Sequence, residues 1–123
     1  MVRALILLLL FSANAVGHEM TPTYPKWKIS HVENIKKTSM RMFNKRADVQ
    51  WYEIGVFDVN FKPIPFVSNF KIIKLDYLST VKFDVYITEE NAIGAEYICS
   101  MSKLRGIQSN QAMVASKICS RFK

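Results

Sequence analysis

Two cysteines constrain this chain more than any other feature. Cys99 and Cys119 are the only ones, with nineteen residues between them. The chain that carries them opens like a secretory precursor. Arg3 gives a basic start, Ala4 to Phe11 is an apolar run, and small residues offer cleavage after Ala15 or after Gly17. That run falls short of the roughly 20 residues needed to span a bilayer. The expectation is a signal peptide over 1–17 and one secreted, extracellular domain over 18–123, with no membrane partner. Two free thiols fit an oxidising compartment poorly. In a monomer the only partner for Cys99 is Cys119, and closing a loop of about 20 residues stabilises a small domain by roughly 3 kcal/mol.

Charge adds little by itself. Seventeen basic residues stand against ten acidic ones, a formal +7 that becomes +6 once Arg3 leaves with the leader. Such a balance suits anionic partners such as nucleic acid, glycans or membrane surfaces, but scattered lysines on a soluble protein give it equally. The densest basic group, Lys36, Lys37, Arg41, Lys45 and Arg46, falls on one face of a predicted helix. No basic-and-aromatic signature of an RNA-binding sheet is present, so nucleic acid is not expected as a partner. His18 and His31 are the only histidines and lie far apart in sequence, with His18 at an expected mobile end. No metal and no cofactor are expected. Both cysteines are committed to pairing and no nucleophile stands beside a base, so the chain reads as a non-enzyme.

Periodicity divides the domain in two. Residues 18–28 carry Pro22 and Pro25 and read as extended, with Trp27 either pinning that segment to a sheet or anchoring a partner. Ser30 and Glu33 form a capping-box pair, and Val32, Ile35, Ser39 and Phe43 then recur at helical spacing, which predicts a helix to about Ala47. Strand-like runs follow at 49–59, 70–77 and 81–87, rich in aromatic and β-branched residues. A turn over 89–94 precedes a hairpin of 95–104 and 111–119. The expected fold class is α+β, with one N-terminal helix packed across a four- to five-stranded antiparallel sheet.

In this order and spacing the chain resembles the secreted (type 2) cystatins. Met42-Phe43-Asn44-Lys45 ends the predicted helix where that family has an aromatic-Asn-Lys sequence. Pro65-Phe66-Val67-Ser68-Asn69 stands where it has a Q-x-V-x-G loop. Phe70 to Leu78 looks like its next strand, and Cys99 through Cys119 matches its last disulfide hairpin. The resemblance covers about residues 20–120. It implies a cystatin-like fold and occlusion of the cleft of papain-like cysteine peptidases by a three-part wedge. The wedge residues would be the N-terminal trunk at Thr21 and Pro22, a first loop of Pro65, Phe66, Val67, Ser68 and Asn69, and a second loop of Gly106, Ile107 and Gln108.

The departures weaken that wedge. Pro65 replaces the family's glutamine and Asn69 its glycine, while Ile107-Gln108 stands in place of its Pro-Trp pair and so removes an aromatic anchor. The expected function is therefore weak or vestigial inhibition of papain-like peptidases by a monomer. The alternative is a basic extracellular binding or host-defence module that inhibits nothing.

Overall fold

The computed structural model describes residues 17–103 and 115–122. Its strands are β1 (His18–Thr21), β2 (Lys28–Ile29), β3 (Ile35–Asn44), β4 (Trp51–Phe57), β5 (Val67–Ser68), β6 (Ile72–Lys74), β7 (Thr80–Thr88), β8 (Tyr97–Lys103) and β9 (Lys117–Arg121). One short helix, α1 (Glu89–Gly94), joins β7 to β8 under a Thr88 cap. One sheet runs β1-β3-β7-β5 with β2 also on β3, and the other runs β6-β4-β8-β9. Every pairing is antiparallel. Met20, Met40, Met42, Phe83, Val85 and Ile87 of the first sheet share one core with Tyr52, Ile54, Val56, Ile73 and Ile98 of the second. The molecule is a two-sheet sandwich.

This overturns the expected α+β class. The segment expected to lie across a sheet as a helix is β3, an interior strand of the first sheet. Thr38, Met40, Met42 and Asn44 point inward, while Ser39 and Arg41 point outward. That is a period of two, but two of the four inward residues are polar, so a hydrophobic count sees Met40 and Met42 alone. Lys, Arg and Met are also good helix formers, and the sheet overrides that weak preference. The expected capping box is a turn instead: the Ser30 hydroxyl accepts from the Val32 amide at 3.1 Å, and Asn34 takes φ 61°.

Other expectations meet the structure more closely. The runs at 49–59 and 81–87 hold β4 and β7, whereas the run at 70–77 holds only the three residues of β6. The 89–94 segment is α1 rather than a plain turn. Cys99 and Cys119 form the expected disulfide, directly opposite each other on β8 and β9 with Cα atoms 4.1 Å apart. Residues 1–16 of the expected leader, and Gly106, Ile107 and Gln108, lie outside the described residues.

The N-terminal segment seals one side of the sandwich. It hydrogen-bonds to β3 at one edge, and the Arg121 amide donates to the Thr23 carbonyl at 3.1 Å on the other side. Trp27 stacks on Phe122 with ring centres 4.4 Å apart, which pins the segment. His18 is no mobile end: it is 3 % exposed, with Nε2 2.7 Å from the Ser100 hydroxyl and Nδ1 3.1 Å from that of Ser116. Ser100 is fully buried, so the pair orders β1 against the second sheet. Beside it, Asn44 joins several turns. Its Nδ2 donates to the Val49 and Leu75 carbonyls, both at 2.8 Å, and its Oδ1 accepts from the Arg46 amide at 2.8 Å and the Tyr52 hydroxyl at 2.5 Å.

Candidate anion-binding face

The outer face of the first sheet is built by β3 and β7. Their register sets Ser39 against Asp84, Lys37 against Tyr86 and Arg41 against Lys82. Alternation sends all six side chains away from the core. Asp84 is fully engaged. Its Oδ1 accepts from the Ser39 hydroxyl at 2.6 Å, and Lys37 Nζ lies 3.3 Å from its Oδ2. The Ser39 hydrogen bond, with Lys37 beside it, holds the Asp84 carboxyl below the usual range, and Lys37 is raised in turn.

Arg41 and Lys82 have no such relief. They are direct cross-strand partners, both exposed, and neither forms an ion pair among the described residues. Like charges in that position destabilise a sheet. They lie in an open groove of about 670 Å³, with Thr21 and Pro22 on one rim and Asn69 and Phe70 on the other. The Asp84 amide donates to Asn69 Oδ1 at 2.9 Å, so the donor capacity of the carboxamide rests on its Nδ2. Arg41 offers five donors and Lys82 three. The groove is therefore donor-rich, with Pro22 and the 43 % exposed Phe70 as apolar walls.

The structure divides the expected wedge residues. Thr21, Pro22 and Asn69 meet on this groove, although they come from the trunk and the first loop. Pro65, Phe66 and Val67 line a separate apolar depression of about 190 Å³, beside Ile35 and Tyr86. Phe66 packs against the core, and Val67 is exposed and paired with Tyr86. Ser68 ties the loop to β7 by donating its hydroxyl hydrogen to the Asp84 carbonyl at 2.7 Å. Cys99 and Cys119 lie on the outer side of the other sheet, where Gly55 stands opposite Cys99.

Sequence reasoning does not single out Arg41 with Lys82. It places Arg41 on a helix face, and Lys82 is one polar residue in an alternating strand. The available signal is the outward series Lys37, Ser39, Arg41 alternating with Thr38, Met40, Met42. Among the described residues no group of acidic, histidine and cysteine side chains could hold a metal ion. Compared with protein-family models the chain matches none, compared with curated proteins it matches none, and nothing in either comparison identifies the cystatin family.

Proposed function

We propose that this protein is an extracellular binding module that takes a sulfate- or carboxylate-bearing ligand on the outer face of its β1-β3-β7-β5 sheet. The observation that carries this reading is the Arg41–Lys82 pair: two cations set opposite each other at a cost to the sheet, with no acidic neighbour in ion-pair contact among the described residues. An anion seated between them removes the repulsion. The Asn69 amide and the apolar rims supply orientation. The Cys99–Cys119 disulfide suits an oxidising compartment.

A sulfated disaccharide titrated into the mature protein at low salt tests this. Lys82→Glu is expected to abolish binding. Lys74→Glu, the same charge change on the other sheet, is expected to retain it. Equal binding by wild type and Lys82→Glu would overturn the reading.

One observation favours inhibition of papain-like peptidases as a second reading: Thr21, Pro22 and Asn69 do share one face. They line a concavity, however, whereas a wedge must project into a cleft. Stoichiometric inhibition of active papain by the mature protein, lost on replacing Asn69, would favour it over ligand binding.

A further inference from the structure

The groove at Arg41 and Lys82 does not end at Pro22 and Ser39. Both residues also line a second depression of about 390 Å³, shared with Lys26, Lys28, His31 and Lys37. The two depressions form one trough on the outer side of the first sheet. The second repeats the unusual feature of the first, because Lys28 on β2 stands directly opposite Lys37 on β3. Lys37 is partnered by Asp84, but Lys26 and Lys28 form no ion pair among the described residues. Lys37 and Arg41 are four residues apart on one strand, so the two like-charged pairs are separated by roughly 14 Å at about 3.4 Å per residue. The trough gathers Lys26, Lys28, Lys37, Arg41 and Lys82 against Asp84 alone.

We infer that the ligand is a linear polyanion of the sulfated-polysaccharide class, lying along both grooves; this rests on the anion-binding reading of the first. A small anion neutralises Arg41 and Lys82 but leaves Lys26 and Lys28, which form no ion pair among the described residues, unmet. A chain with charges repeated along its length meets all four, and releases its own counterions as it does so. The lining favours a saccharide over a single-stranded nucleic acid. Nucleic acid strands are held by bases stacked on successive aromatic rings; in the trough Phe83 is buried, Phe70 stands at one end, and no phenylalanine, tyrosine or tryptophan is among the Lys26, Lys28, His31 and Lys37 lining. Thr21 and Ser39 lie along it instead, and the Ser39 oxygen, whose hydrogen goes to Asp84, can accept from a ring hydroxyl.

The test compares heparin fragments, a disaccharide and an octasaccharide, on the mature protein by calorimetry. The octasaccharide is expected to bind about tenfold tighter or more, from engaging the second groove. Its log K should fall against log salt with a slope of about 3, from four or five charges at about 0.7 each. Lys26→Glu with Lys28→Glu should cut octasaccharide affinity about tenfold and disaccharide affinity far less; Lys74→Glu should cut neither. Equal affinity for the two lengths, with disaccharide binding still lost in Lys82→Glu, would overturn the polyanion inference and leave the anion reading standing. No binding of either fragment would overturn both. Tighter binding of a single-stranded oligonucleotide of equal charge would overturn the saccharide class.

Discussion

Asn44→Ala is expected to remove a large part of the stability of this domain. Asn44 is fully buried and its side chain makes four hydrogen bonds, to the Val49 and Leu75 carbonyls, the Arg46 amide and the Tyr52 hydroxyl. Alanine satisfies none of them. A buried polar group left without a partner costs about 1–3 kcal/mol. Some of the four will find water or shift, so a total of roughly 4 kcal/mol is the working figure, against about 5–15 kcal/mol for a whole domain. With a urea m-value near 1.5 kcal/mol/M, in the range for small proteins, the midpoint should fall by nearly 3 M. Urea unfolding followed by fluorescence of Trp27 and Trp51 measures this. Tyr52→Phe removes one of the four bonds and should cost about 1–2 kcal/mol, with clear coupling to Asn44 in a double-mutant cycle. A loss below about 1 kcal/mol for Asn44→Ala would refute the claim that this amide joins the turns around it.

Burial holds the His18 pKa below its ordinary value, with Arg46 adding to the effect, so the unfolded chain takes up that proton first as pH falls. Stability should therefore drop from pH 7 towards pH 5, and the drop should shrink in His18→Gln; the carboxylates Asp48 and Asp84, whose pKa values are lowered, lose their contribution only below about pH 4. Cys99→Ser should cost about 2–5 kcal/mol, and non-reduced mass spectrometry should find no free thiol in the wild type. Lys82→Glu, which ends ligand binding, should raise stability by about 0.2–1 kcal/mol through a cross-strand pair with Arg41, read as a higher melting temperature. N-terminal sequencing of secreted protein should begin at Val16 or at His18, the two positions that the small residues before them allow, and a start at Met1 would refute the leader.

What is legible in the sequence depends on how local its cause is. The disulfide follows from a count of two and from the oxidising compartment that the leader-like opening leads one to expect. Strands β4 and β7 follow from aromatic and β-branched alternation over seven and nine residues. β3 does not, because Thr38 and Asn44 are polar residues turned inward, and the placement of Asn44 is justified only by partners outside the strand. For Asn44 these are two carbonyls beyond the strand, a local amide and the Tyr52 hydroxyl. The candidate site is further out of reach. Arg41 and Lys82 become neighbours only through the register of β3 with β7, and a slip by one residue would turn each to the other face.

The placement of β1 also sets how the domain carries mechanical load. At one end of that strand His18 touches Ser116, and just beyond the other end Thr23 accepts from Arg121. Gly17 and Phe122 thus lie at opposite ends of the same seam. Tension between them acts along β1, so its hydrogen bonds to β3 are loaded in shear and must fail together. Pulled across the strands, the same bonds would open one at a time, at lower force. Single-molecule extension between Gly17 and Phe122 should show one abrupt yield rather than a gradual peel.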